Sequence, residues 1–251
     1  MEKSAVIYAE LVQYACHYAK KSSIKRCALG ENCLAVESDL GCGLAFLERS
    51  FWGVMPSRNE LNALEQEISS MRLETLIPKY LDDDALTVAL AFAAINSVCV
   101  ASSGYAPGEF ALRNILDTHK RLGMVGFFCP LLPEVRASGI DLEIFELRDI
   151  AGTHRPQAAA EIMPHCDLVV FTGSTFVNKT FHFYQPYLAS GADVYILGPS
   201  TPLASVLCKN FSLGGSLVRA ESEDDVFNAI RQGYNYRRLQ PWLTKVVAYR
   251  V

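Results

Sequence analysis

From Asp167 to Thr180 the chain runs Asp-Leu-Val-Val-Phe-Thr-Gly-Ser-Thr-Phe-Val-Asn-Lys-Thr, an apolar run that breaks at Thr172 and Gly173 into small polar residues. This is the pattern of a buried parallel strand whose carboxyl end opens onto a site. The grammar repeats at 193–202, where Asp-Val-Tyr-Ile-Leu gives way to Gly198, Pro199, Ser200, Thr201 and Pro202. If the two strands are neighbours, their turns lie side by side. Each turn offers hydroxyls, backbone N–H groups and a following helix N-terminus, which suit an anion or the polar edge of a metabolite. The candidate ligand-binding residues there are Thr172, Gly173, Ser174, Asn178, Thr180, Gly198, Pro199, Ser200 and Thr201.

Three further polar residues sit where apolar elements end. Glu146 closes the strand predicted over 142–147, and a carboxylate there either accepts from ribose hydroxyls or is an exposed strand end balanced by Arg148. Glu48 follows Leu44-Ala45-Phe46-Leu47, as a solvated strand end or as a ligand aimed into a neighbouring cleft. Asn96 is the one strongly polar side chain near the end of an apolar helix, so it satisfies local backbone or reaches a site.

The elements that must position these residues fall into two groups. Residues 4–20 carry apolar side chains at helical spacing, with Ser4 as N-cap. Short runs separated by turns then predict a three-stranded meander over 24–29, 33–37 and 42–48. Gly41-Cys42-Gly43 opens onto a strand and not a helix, so it is a turn and not a phosphate loop. Ser57 caps a helix over 58–71, a second helix follows over 73–80, and Asp82, Asp83 and Asp84 cap an all-apolar helix from Ala85 to Val98. After the turn-rich stretch 101–108, helix and strand alternate. Helices are expected over 109–118, 132–137, 158–162, 178–187, 202–208 and 223–233, and strands over 124–128, 142–147, 168–171, 194–197 and 216–219. That alternation predicts a Rossmann-like parallel sheet with helices on both faces. The division is 1–103 for a smaller α+β unit and 104–251 for the α/β unit.

Several functions are disfavoured. Half of the residues are hydrophobic and a fifth charged, as in an ordinary globular chain, and the net charge is −4 with a pI of about 5.8. Nucleic acid is therefore not the expected partner. The N-terminus lacks a signal-peptide pattern and the run from Ala85 to Ala101 is short for a span, so a cytoplasmic protein without membrane attachment is expected. In the first predicted strand of the α/β unit the glycines lie within the strand and the turn carries Cys129 and Pro130; conventional NAD or FAD binding is not expected without G-x-G-x-x-G. The eight cysteines lack a C-x-x-C pair and read as free, mostly buried thiols. Cys16 and His17 face different ways on a helix. His154, His165 and Cys166 suit late transition metals, but their spacing fixes no tetrahedral site. G-x-S-x-G and any readable nucleophile triad are absent.

Through Gly123-Met124-Val125-Gly126, Phe145-Glu146, Asp167 to Thr180 and Gly198 to Leu203, the chain resembles the bacterial and archaeal family described as putative heavy-metal chelation proteins. Its first hundred residues resemble the companion module, of enolase N-terminal-like fold, through Gly43-Leu44-Ala45 and Ala93 to Asn96. The resemblance implies a cleft between the two units, lined by strand ends and by Glu48 and Asn96. The sequence departs from the family pattern at Cys129 and at Lys179, where glycine is common. Three readings stand. The first is a cleft protein that makes or handles a metal-chelating metabolite, and the second a group transferase using a nucleoside cofactor such as S-adenosylmethionine. The third is a binding protein, as a homodimer in one version, that holds a transition metal or metal chelate without changing it.

Overall fold

The computed structural model describes residues 3–48, 50–101 and 104–251. Ser102 and Ser103, where the division between units is expected, lie outside the described residues, as do the side chains of Lys3, Ser4 and Ala5. The expected capping role of Ser4 falls there too.

The first unit opens with a helix, Lys3–Tyr18, followed by strands β1 (Ile24–Leu29), β2 (Cys33–Ser38) and β3 (Gly41–Phe46). These form an antiparallel sheet in the order β1-β2-β3. Next come a helix Arg58–Ser69, a short turn Leu73–Leu76 that runs into a 3-10 segment Ile77–Leu81, and the helix Ala85–Ala101. Ser57 starts the Arg58 helix through a capping box with Glu60, which satisfies two otherwise orphaned N–H donors. Asp84 accepts a 2.8 Å hydrogen bond from the Thr87 N–H, so the acidic cluster there ends in a cap.

The Ala85–Ala101 helix is buried from Val88 to Cys99 and lies directly on the meander. At Gly43 an added Cβ would stand 2.1 Å from the Ala93 carbonyl oxygen and 2.2 Å from the Ser97 nitrogen. Gly43 is therefore the point where strand and helix backbones touch, and only a residue without a side chain allows it.

The second unit holds β4 (Ala106–Pro107), β5 (Arg121–Val125), β6 (Asp141–Phe145), β7 (Leu168–Thr172), β8 (Asp193–Leu197), β9 (Ser212–Val218) and β10 (Leu243–Ala248). They form one sheet in the order β4-β10-β9-β8-β7-β5-β6. The five strands from β6 to β9 are parallel, whereas β10 runs antiparallel to β9 and to β4. The Rossmann-like α/β architecture stands, with an antiparallel edge that strand-helix alternation did not predict. The helix expected over 178–187 is two separate turns, Ser174–Val177 and Phe181–Tyr184. The helix expected over 132–137 is present as Leu132–Ser138, whereas others are shorter or shifted, as with Leu112–Asp117 and Ser205–Cys208.

The two units share a core. Leu34 and Val36 of β2 face a cluster that also contains Leu11, Phe92 and Phe176. Cys33 and Ala35, on the opposite face, pack with Val226, Phe227 and Ile230 of the helix Glu223–Arg231. Period-two alternation sends successive β2 side chains to two different cores. Polar ties cross the same seam. The buried Glu65 carboxylate accepts from Leu29 N at 2.8 Å and Arg58 Nη2 at 2.7 Å within the first unit. It also accepts from Arg231 Nε of the second unit at 2.9 Å. Tyr80 donates its hydroxyl to the Phe176 carbonyl at 2.6 Å. Among the described residues no helix is long and apolar enough to cross a membrane.

Substituting Gly43→Ala forces a methyl group between two backbones that have no flexible end to yield. Its expected cost is about 3 kcal/mol, read as a lower urea midpoint without a change of slope.

Candidate functional site

In the order β8-β7-β5-β6, the connection leaving β5 runs to β6 on one side and that leaving β7 runs to β8 on the other, which opens a crevice beyond the carboxyl ends of β5 and β7. A cavity of about 410 Å³ occupies that crevice, within the range of small-molecule sites. Val125, Phe145 and Tyr184 form its apolar floor. Its polar rim carries Glu48 from the first unit, and Glu146, Arg148, Thr172, Ser174, Asn178 and Thr180 from the second.

Gly126 has a φ of +96° and is the first residue beyond β5, outside the strand where the sequence put it. A Cβ there would meet Thr172 Cγ2 at 2.7 Å, so glycine both makes the turn and lets β5 and β7 exit side by side. The next N–H, that of Phe127, is taken by Glu146 Oε2 at 3.1 Å. The turn holds a single glycine followed by two phenylalanines, with no further glycine before the helix Leu132–Ser138.

Glu146 is buried and fully engaged. Oε2 accepts from Phe127 N and from Arg148 Nη2 at 3.1 Å. Oε1 accepts from Arg148 N at 3.1 Å and Arg148 Nε at 3.2 Å. Two carboxylate oxygens offer about four lone-pair positions, and all are used. Burial pushes this carboxyl upward, but the Arg148 guanidinium and the two backbone N–H groups outweigh it and hold it below the usual range. The expected pairing with Arg148 is formed, at a strand end that is buried and not exposed, and the pair leaves an exposed guanidinium lining the cavity.

Glu48 lies beyond the end of β3 and reaches the other unit, where its Oε1 accepts from Asn178 Nδ2 at 2.9 Å. Asn178 Oδ1 in turn accepts from Thr180 Oγ1 at 2.7 Å and Thr180 N at 3.2 Å. The Val-Asn-x-Thr element is thus a self-bonded turn that presents one amide to Glu48. Inside it Lys179 has a left-handed φ of +52°, which costs about 1–2 kcal/mol for a residue with a side chain and accounts for glycine at this position in the family pattern. Its ammonium donates to the Asp82 carbonyl of the first unit. Glu48, Ser174 and Asn178 also line a second cavity of about 200 Å³, so the Glu48–Asn178 bond stands between two compartments.

The structure does not bring the remaining candidates into this cavity. β7 and β8 are neighbours and their turns do lie side by side, but they are in contact. A Cβ on Gly173 would stand 2.6 Å from Thr201 N and 2.7 Å from the Ser200 carbonyl carbon. Ser200 is buried with its Oγ accepting from Phe46 N at 2.8 Å, closing the end of β3. Thr201 is buried beside it. Asn96 donates to the Leu44 carbonyl at 2.8 Å, and with Pro199 and Thr201 it lines only a void of about 10 Å³. Gly198 borders a separate apolar cavity of about 220 Å³. The helix after Gly173 is a single turn, too short to act as an anion-binding dipole.

Arg148, Gly126, the Phe127 N–H and Tyr184 are the site groups that the sequence reading did not select. The signal for Arg148 was its spacing two residues from Glu146; Tyr184 gave none. Burial pushes the Tyr184 phenol up to about 12, with the nearby Glu146 charge adding to it. Cys166 is buried at the start of β7, at the far end of the sheet, and burial raises its thiol to about 11. His154 pairs with Glu143 at 2.6 Å and His165 is exposed. Among the described residues no group of three or more His, Cys, Asp or Glu side chains could hold a metal ion. The described residues therefore do not fit direct ligation of a metal.

The fold and the crevice define a two-unit α/β protein whose strand-end cavity is completed by a loop of the smaller unit. The chain belongs to the DUF364 family, described as putative heavy-metal chelation, whose model matches residues 110–248. A second model with the same description, DUF4213, matches residues 12–99. Two solved structures share the fold. One is a protein of unknown function from the DUF364 family of Desulfitobacterium hafniense DCB-2, 22% identical, with a TM-score of 0.81 over 99% of each chain. The other is a DUF364-family protein from Pyrococcus horikoshii, 18% identical, with a TM-score of 0.77 over 96% of this chain and 98% of that one. No curated protein matches the chain.

A carboxyl held low in the folded state contributes stability above the unfolded-state pKa, and that contribution disappears as pH falls through the lower folded value. The melting temperature of wild type should therefore drop more steeply than that of Glu146→Gln below pH about 4.3, while the gap between them stays constant from pH 6 to 8.

Proposed function

We propose that the chain binds a small polar metabolite in the 410 Å³ cavity and acts in making or handling a metal-chelating compound. The observation that carries this reading is that the cavity sits at the topological switch point and is finished by Glu48, a residue of the other unit. Ligand sites of open α/β sheets lie there, and the family's description supplies the metal connection. Since no protein donor set assembles among the described residues, metal would enter the picture through the metabolite.

The lining favours holding a compound over transforming it. Among the described residues, neither histidine, lysine nor cysteine borders the cavity. Of its acid or base groups, Glu146 is saturated and the Tyr184 phenol is raised to about 12, far from the neutral range that proton transfer at pH 7 favours. Among the described acid and base groups of the lining that leaves Glu48, whose Oε1 is engaged by Asn178. The same saturation weakens the nucleoside-cofactor alternative, because a ribose would find no unused lone pair on Glu146.

Untargeted mass spectrometry of small molecules released from the purified full chain should recover one compound near stoichiometry. The amount should fall at least tenfold in Arg148→Ala and Thr172→Val; equal recovery from wild type and both variants would remove the cavity from consideration. Calorimetry with S-adenosylmethionine is expected to show no heat.

A further inference from the structure

Resting on the cavity reading above, we propose that the ligand is a zwitterion, an α-amino carboxylate with an apolar body, whose carboxylate meets Arg148 and whose ammonium meets Glu48. Among the described residues, the charged side chains that line the cavity are Glu48, Glu146 and Arg148. Two carboxylates against one guanidinium leave a net negative wall, which disfavours phosphate or any other ligand that is only an anion. A purely cationic ligand would leave the outward edge of the guanidinium without a partner. Arg148 spends Nε and one Nη2 hydrogen on Glu146, so its Nη1 hydrogens and the second Nη2 hydrogen remain for an incoming carboxylate.

Glu48 complements this from the opposite unit. Its Oε1 holds the Asn178 amide, and Oε2 is left to accept from an ammonium. Glu48 and Arg148 line the same cavity, and the Glu48 charge acts on the Arg148 guanidinium, so one small molecule in that cavity meets both poles. Val125, Phe145 and Tyr184 line the same cavity and, among the described residues, no further charge does, which selects an apolar body. An amine and a carboxylate on one carbon are also a bidentate nitrogen and oxygen donor pair for late transition metals. The head group that fits the two poles is thus a chelating unit.

A matched series tests this with wild-type full chain by calorimetry or ligand-observed NMR. The probes are L-phenylalanine, 3-phenylpropanoate lacking the amine, 2-phenylethylamine lacking the carboxylate, and inorganic phosphate. Phenylalanine should bind most tightly, with each truncated probe up to about fivefold weaker, the worth of one exposed charge pair. Glu48→Gln keeps an oxygen for Asn178 and sits on the surface, so the variant should fold. It should weaken phenylalanine and leave 3-phenylpropanoate bound as tightly as before or more so, because one negative charge of the lining is gone. Phosphate or 3-phenylpropanoate binding as tightly as phenylalanine would overturn the zwitterion while leaving the cavity reading intact. No binding by any probe, with a compound of another class released from the purified protein, would do the same. If no probe binds and no compound is released, both fall.

Discussion

The structure depends on one strand being buried on both faces. Leu34 and Val36 of β2 look into the core beneath the Ala85–Ala101 helix, while Cys33 and Ala35 look into a core completed by the Glu223–Arg231 helix. A half-covered meander would expose an apolar face to water, at about 25 cal/mol for each Å², so the smaller unit cannot be satisfied without the larger one. The Glu65 carboxylate tightens this arrangement by joining Arg58 and Arg231. A buried carboxylate with two guanidinium partners tolerates little displacement, because separating them strands a charge in low dielectric.

That constraint decides where the functional groups are. Glu48 leaves the end of β3, and Ser200 closes the last N–H of that strand from the other unit. The loop that carries Glu48 therefore begins at a fixed place beside the strand ends, and the cavity's two charged poles come from segments a hundred residues apart. Gly126 and Gly173 serve the same end. One lets β5 and β7 part without a side chain between them, and the other lets the β7 and β8 turns touch.

Much of the architecture was legible. The meander, the Ser57 capping box, the all-apolar helix and the strand-helix alternation all carry local signals of period, cap or turn. The antiparallel edge was not legible, because β10 follows helices and turns without a hairpin signal and β4 is only two residues long. The site divides by the same rule. Glu48, Glu146, Thr172, Ser174, Asn178 and Thr180 stand at element ends, where sequence shows them, and they line the cavity. Ser200, Thr201 and Gly173 have the same local pattern, but their destination is set by what packs against them. A hydroxyl that receives a ligand and one that receives a neighbouring strand's N–H are indistinguishable until the partner is seen. Gly43 carries the same lesson, since its flanking pattern mimics a turn while its role is contact with a helix fifty residues later.

The second face of the meander has a bearing on how the protein is made. Its inward residues include Ala28, Cys33, Ala35 and Cys42, whereas the face toward the long helix takes Leu29, Leu34 and Val36. The helix that covers this face, Glu223–Arg231, is synthesised long after the strands Ile24–Phe46. At ribosomal rates of about 5–20 residues per second, that face stays bare for on the order of ten seconds or more after the strands emerge. Ala28, Cys33, Ala35 and Cys42 offer little area for a passing hydrophobic surface to hold, so what that face leaves sticky in the interval is chiefly Leu44 and Phe46.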